Sequence, residues 1–359
     1  MQQRYGRPPT RHRLRFWSGH PGRELLGGRS TRDTIGTTLN PATDLVTADL
    51  PAGTRPFPLA LGTNVFGWTV GAPTALEVLD LFADDGGRIV DTADVYSAWL
   101  PGNSGGESEA IIGRWLARPG NRDRVVLSTK CGQHPDAPGL SRTSIRTAVE
   151  GSLRRLRTDH VDFYFTHFDD DETPLDETVG ALSELVDEGK ILCAGASNYT
   201  GARLRQALAI ADRDGLHPFR VVQVAYNLVR RGEYEGDVAA IVDHYDLAVL
   251  PHSSLASGFL TGKYRHDVGR GDSPRGSRAL SYVTPQNQGT LEVVVEIAER
   301  LDVEPGAVAV AWLASRDNVI GALGSARTSR QLEGLLDAAR VELTEGDLAS
   351  LEAASRPLD

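Results

Sequence analysis

The sequence predicts a closed (β/α)8 barrel, and three observations carry that expectation. Eight short apolar runs stand along the chain, most about 30–36 residues apart, which is the spacing of repeated strand–helix units. Helical periods fill most of the intervals. No Gly-x-Gly-x-x-Gly loop follows the first run, where Gly62-Thr63-Asn64-Val65-Phe66-Gly67 stands instead. The main alternative, a doubly wound open sheet, therefore lacks its usual phosphate-binding signature.

The runs begin near Leu59, Ile89, Val125, Val161, Ile191, Val221, Ala248 and Val319. Between the first two, Leu76, Val78, Leu79 and Phe82 give one helical face. Ile145, Val149, Leu153 and Leu156 recur at i, i+4, i+8 and i+11, and Leu175, Val179, Leu182 and Val186 at i, i+4, i+7 and i+11. The seventh and eighth runs are about 71 residues apart. That gap holds a Gly/Ser/Arg-rich stretch, 265–288, and two helical segments, 289–302 and 305–316. The barrel is assigned to residues 51–359.

Residues 1–50 have neither period and are expected to be a basic extension. Within 1–35, eight Arg face only Glu24 and Asp33, a charge of +6 against −16 for the rest of the chain and −10 in total. A flexible tail fits best; a transit peptide or an arm for an anionic surface are the alternatives. The remaining composition, 40% apolar and 24% charged over 359 residues, excludes a disordered chain, a collagen and a coiled coil. No window of 18 or more apolar residues suggests a membrane span. Cys131 and Cys193 have no metal-ligand spacing. The acidic barrel argues against a nucleic-acid partner. Only three of the 38 basic residues are Lys, at 130, 190 and 263. Each raises the question of why a compact, titratable point charge stands where Arg is the habit.

Barrel active sites form at the C-terminal strand ends. Here the second strand leads to Asp91 and Tyr96, the third ends at Lys130, and the fourth at His167. The fifth ends at Ser197-Asn198, the sixth carries Gln223, and the seventh ends at His252-Ser253. Such a set suits proton transfer to a carbonyl oxygen. Tyrosine titrates near pH 10, and an adjacent ammonium favours its anion. A carboxylate would hold that ammonium, and a histidine would orient and polarise the carbonyl. Arg327, just before a helix, suits an anion.

At these residues the sequence resembles the aldo-keto reductases, over about residues 56–345. DTADVY (91–96), LSTKCG (127–132) and YFTH (164–167) look like the family's catalytic strands. GASNY (195–199) and VQVAYN (222–227) look like its nicotinamide motifs. LPHSSLASGFLTGKY (250–264) and GSARTSRQL (324–332) look like its phosphate loops. The stretches at 103–116 and 173–191 resemble the aryl-alcohol-dehydrogenase-like or channel-β-subunit-like branch, which implies a monomer or a weak homo-oligomer. The resemblance implies that Tyr96 is the general acid, that Lys130 lowers its pKa, that Asp91 pairs with Lys130, and that His167 orients the carbonyl. It further implies that Ser197, Asn198 and Gln223 hold a nicotinamide carboxamide, that Ser253, Leu255 and Lys263 line the pyrophosphate, and that Arg327 and Gln331 meet a 2′-phosphate. NADPH and a small carbonyl substrate are thus expected, with a cytoplasmic location, no membrane partner and no metal.

The pattern departs from the family in three places. His252 stands where an aromatic ring usually stacks on the nicotinamide, Ser254 replaces a proline, and Gly334 and Leu335 replace polar residues near the adenine. Trp68 and Trp99 are expected in the substrate pocket, although barrel-end packing is the alternative. Asp169–Glu172 read as solvated loop carboxylates, and Cys131 as a small buried filler. Two other functions stay open: a cofactor-binding regulatory subunit with slow turnover, and a Schiff-base lyase using Lys130.

Overall fold

All eight apolar runs form strands, and the helix-containing connections between them make the pairing parallel. The structure, a computed structural model, describes residues 40–47, 55–264 and 276–356. The expected extension over 1–39 and the 265–275 part of the Gly/Ser/Arg-rich stretch lie outside the described residues. The strands are β1 (Leu59–Gly62), β2 (Ile89–Asp91), β3 (Val126–Cys131), β4 (Val161–Thr166), β5 (Ile191–Ser197), β6 (Val221–Gln223), β7 (Ala248–Val249) and β8 (Ala322–Gly324). Their order is β7-β6-β5-β4-β3-β2-β1-β8. The two ends of that row meet through Val249 N–H to Asn318 O (2.7 Å), Ile320 N–H to Val249 O (3.0 Å) and Leu323 N–H to Pro251 O (2.9 Å). The predicted (β/α)8 barrel is therefore the observed one.

Side chains alternate across each strand, so one parity fills the lumen and the other lies under the helices. The lumen parity includes Ile89, Val126, Phe163, Phe165, Cys193 and Val221. Two or four residues further along the same parity stand Asp91, Lys130, His167, Ser197 and Gln223. The barrel is thus apolar at its base and polar at its C-terminal rim. Gly195 makes room in the middle layer, because a Cβ there would lie 2.5 Å from the Phe165 ring.

The helices between β1 and β7 cover the outer face. These are α2 (Ala72–Asp84), α3 (Glu107–Leu116), α4 (Arg142–Leu156), α5 (Leu175–Asp187), α6 (Gly201–Asp214) and α7 (Asp237–Tyr245). After β7 come the short α8 (Gly276–Leu280), then α9 (Pro285–Leu301) and α10 (Pro305–Ala314), close to the two helical segments expected there. The chain ends with α11 (Ser329–Leu336) and α12 (Glu345–Ser355). α10 packs against β8, α9 and α11, which is why GAVAVAWL is apolar on all sides. Among the described residues no helix is long and apolar enough to cross a membrane.

One segment differs from the sequence reading. Pro41–Thr47, placed there in the extension, form helix α1. Its Ala42 and Val46 are fully buried among the luminal residues Ile89, Val126 and Phe163. Just before it, the Asn40 amide donates to Arg220 O (3.0 Å) and Asp246 O (2.6 Å). Seven residues are too few to show a period, and the surface that fixes them comes from strands far along the chain.

Candidate active site

The rim residues converge on one buried ion pair. The Lys130 ammonium donates to Asp91 Oδ2 (2.6 Å), to the Thr92 carbonyl (2.6 Å) and to the Tyr96 hydroxyl (3.2 Å). Lys130 and Asp91 are each 1% exposed. The other Asp91 oxygen accepts from Ser128 Oγ (2.7 Å) and Gln223 Nε2 (3.0 Å). A buried carboxylate stays charged only when its lone pairs are taken up in this way. Ser128 was missed in the sequence, although it stands two residues before Lys130 and so shares its luminal parity. The Thr92 contact is to backbone, which no residue type announces.

The Tyr96 ring lies 6.0 Å from the His167 ring. Burial raises the Tyr96 pKa above its ordinary value; Lys130 opposes this and Asp91 adds to it. The lowering by Lys130 expected from sequence is present but outweighed, and the phenol stays protonated at neutral pH. Burial, then Lys130 and His252, bring the His167 pKa down to about 3, so the imidazole is neutral. Its Nδ1 is buried with no hydrogen-bond partner.

Ser197, Asn198, Gln223, His252 and Ser253 continue the wall. Asn198, in the left-handed region at φ 58°, donates from Nδ2 to the His167 carbonyl (2.9 Å) and to Ser197 Oγ (2.9 Å). The carbonyl can only accept, which leaves Asn198 Oδ1 facing His252 Nε2 at 3.0 Å. That nitrogen must carry the proton, and His252 Nδ1 then accepts from Ser253 Oγ (3.0 Å). His252 is thus a neutral, tethered ring. Burial, Lys130, Arg230 and Arg278 push its pKa down to about 4. Asn227, from the VQVAYN motif, donates to the Ser253 carbonyl (2.9 Å) and fixes this loop.

These groups line a cleft of about 860 Å³ that extends to Leu255, Lys263, Arg327 and Gln331. Thr328 caps α11, accepting from Gln331 N–H, while Gln331 Oε1 accepts from Arg327 N–H (2.9 Å). Arg230, Arg278 and Arg330 also line the cleft and were not singled out from sequence; nothing in their local pattern separates them from solvated arginines. Trp68 lines the cleft. Trp99 is not in its wall, but it packs edge-on against Trp68 (5.6 Å) and stands 6.4 Å from Tyr96. Cys131 is fully buried and its thiol is pushed well up by that burial, then by Asp94. Among the described residues no group of three or more His, Cys, Asp or Glu is placed to hold a metal.

A second buried acid lies beneath the site. Asp94 is fully buried, and neither carboxyl oxygen has a hydrogen-bond partner. Nearby Glu109, also buried, accepts from Thr129 Oγ1 (2.6 Å) and Arg155 Nε (2.7 Å). Burial first, then Glu109, raises the Asp94 pKa from 3.8 to about 8. The folded protein therefore holds a proton here that the unfolded chain releases above pH 4. This group's contribution to stability falls as pH rises from about 4 to 8. Thermal unfolding of Asp94→Asn should show the variant gaining on the wild type between pH 5 and pH 8.5. A melting-temperature difference that does not change with pH would contradict it.

The site has the features of a reductase of the barrel type, and the comparisons agree. Residues 58–356 match the model of the aldo/keto reductase family, and the chain belongs to that family. It is 31% identical over 327 residues to Protein tas of Escherichia coli K12, covering 82% of this chain and 93% of that protein. It is 32% identical over 309 residues to the uncharacterized oxidoreductase YrpG of Bacillus subtilis (83% and 92%). A probable voltage-gated potassium channel subunit beta of rice is 33% identical over 295 residues (78% and 87%).

Proposed function

We propose that the protein is an NADPH-dependent reductase of aldehydes or ketones, with Tyr96 as the proton donor. The observation that carries this is the Tyr96–Lys130–Asp91 chain of contacts at one end of a cleft whose other end is lined by Arg327, Arg330 and Lys263. The donor set fits a dinucleotide phosphate. Lys263 and Arg327 offer positive charge, Thr328 its hydroxyl, and α11 its N-terminus. Gln223 spends its amide N–H on Asp91, leaving its carbonyl oxygen to accept from a carboxamide. When bound, the nicotinamide supplies a hydride to the carbonyl carbon.

The protein's own part is binding, polarisation and protonation. A neutral His167 donates one hydrogen bond to the substrate oxygen, fixing it beside Tyr96. The phenol, protonated up to alkaline pH, gives its proton to that oxygen as negative charge develops there. Lys130 then stabilises the phenolate, at the strength a water-poor site allows. Asp91 keeps the ammonium aimed. The Lys130 amine is committed to three partners and protonated, which disfavours the Schiff-base reading.

Arg327→Ala should raise the dissociation constant for NADPH by about 10- to 150-fold and that for NADH much less, since a charged hydrogen bond to a phosphate is worth about 1.5–3 kcal/mol. Equal loss for both cofactors by titration would remove the 2′-phosphate assignment. The rice relative's name favours a second reading, a cofactor-binding regulatory subunit with slow turnover. Steady-state NADPH oxidation beside a partner pull-down separates the two.

A further inference from the structure

The loop after β6 supports one wall of the cleft. Its Tyr226 N–H donates to the His252 carbonyl (3.2 Å), and the Asn227 amide donates to the Ser253 carbonyl (2.9 Å). Asn227 Oδ1 also accepts from Val229 N–H (2.9 Å). The backbones of Asn227 and Arg230 exchange two hydrogen bonds (3.1 and 3.3 Å). A tight turn over 227–230 thus holds the His252-Ser253 wall in place.

Arg231 follows that turn and reaches the C-terminal helix. Its side chain is 11% exposed. Nε donates to Glu235 (2.9 Å), Nη1 to Ser355 Oγ (2.8 Å), and Nη2 pairs with Glu352 (2.6 Å). The guanidinium also stands 5.6 Å from the ring of the fully buried Trp312. A planar fork meets these separate directions from one stem, which a lysine point charge does not. Glu235 closes the link back to the loop. Its N–H donates to the Arg231 carbonyl (3.0 Å), and its carboxylate accepts from the Tyr226 hydroxyl (2.5 Å). Glu352 and Ser355 lie on α12, whose end is pinned to α9 by Thr290 Oγ1 to Ala354 O (2.8 Å) and Gln286 Nε2 to Arg356 O (2.7 Å).

Arg316 shares the same acid and the same ring, but not the turn. Its Nη1 donates to Glu352 (2.8 Å), its Nε to the Trp312 carbonyl (3.4 Å), and its guanidinium stands 4.7 Å from the Trp312 ring. One arginine therefore ties α12 to the cleft loop, and the other ties it to the end of α10.

We infer that Arg231 is a positioning residue through which the C-terminal helix, by Glu352 and Ser355, braces the His252-Ser253 wall against the nicotinamide half of the cofactor. This rests on the reductase reading for the occupant of that wall. The adenosine half, at the α11 end of the cleft, does not depend on the brace.

The test compares wild type, Arg231→Met, Arg316→Met and Glu352→Gln, each as the full chain. Denaturant unfolding reads stability. Titrations with NADPH and with adenosine 2′,5′-bisphosphate, which has the adenosine end and no nicotinamide, read the two halves of the cleft. Steady-state reduction of benzaldehyde and propanal reads turnover. Met keeps an apolar stem beside Trp312, and in Arg231→Met the acids Glu235 and Glu352 retain Tyr226 and Arg316 as partners. Both arginine variants should lose some stability. Arg231→Met should weaken NADPH binding about 2- to 30-fold, the scale of substitutions along a coupled network. Its kcat should fall, and its affinity for adenosine 2′,5′-bisphosphate should not change. Arg316→Met should keep wild-type affinity for both ligands and wild-type kcat. Glu352→Gln should follow Arg231→Met on NADPH more weakly, because Glu235 and Ser355 still hold the guanidinium. Unchanged NADPH binding in Arg231→Met, equal weakening of both ligands, or equal NADPH losses in the two arginine variants would overturn the inference. A wild type that binds NADPH and reduces neither aldehyde, with the same selective loss in Arg231→Met, would instead sink the reductase reading and leave the brace standing.

Discussion

Tyr96→Phe is expected to lower kcat for carbonyl reduction by about 10²–10⁴-fold, the usual size of a general-acid contribution, while NADPH affinity barely changes. The substitution removes one oxygen from the cleft wall and leaves the Lys130–Asp91 pair intact, because Lys130 still donates to Asp91 and to the Thr92 carbonyl. The loss should therefore appear in kcat and kcat/KM together. Steady-state rates and a cofactor titration on the same preparation read both. Equal turnover by the variant would remove Tyr96 from the mechanism. The wild-type rate should not fall on the alkaline side through Tyr96 below pH 10, because burial keeps its pKa above the ordinary value.

The second large effect is on stability as well as rate. Lys130→Met keeps much of the side-chain volume but leaves the Asp91 carboxylate buried without its ammonium. Removing one partner of a buried pair costs about 3–5 kcal/mol, so denaturant unfolding should shift by that order and kcat should collapse. Adding Asp91→Asn removes the stranded charge, and the double variant should regain most of the stability and none of the activity. Equal stabilities for the single and double variants would show that Asp91 does not depend on Lys130 for its charge.

Much of this site was legible because strand alternation is strict. Asp91, Lys130, His167, Ser197 and Gln223 stand at even steps from apolar luminal residues, so one parity brings all five to the rim. The three-lysine composition also carried information. Lys130 stands where three acceptors meet in a space that a broad guanidinium would overfill, and Lys263 lines the phosphate end of the cleft. Lys190, between Glu150 and Glu188 on the surface, serves neither.

Other features were illegible for physical reasons. The direction of the Tyr96 shift depends on how burial weighs against a single ammonium, and spacing does not measure burial. The tether from Asn198 to His252 joins residues 54 apart in sequence and exists only because β5 and β7 flank β6. It commits Asn198 Oδ1 to His252, so any carboxamide held there shares that oxygen with the ring. α1 took shape only against a barrel base assembled from the rest of the chain.

The central claim is that this cleft delivers a hydride to a carbonyl carbon and a proton to its oxygen. Incubation of the wild-type protein with an aryl aldehyde and NADPH deuterated at the nicotinamide C4, followed by mass spectrometry of the product, tests it most directly. The expected product is the alcohol carrying deuterium on the former carbonyl carbon, formed in step with NADPH oxidation. Recovery of unchanged aldehyde from a protein that binds NADPH would contradict the account.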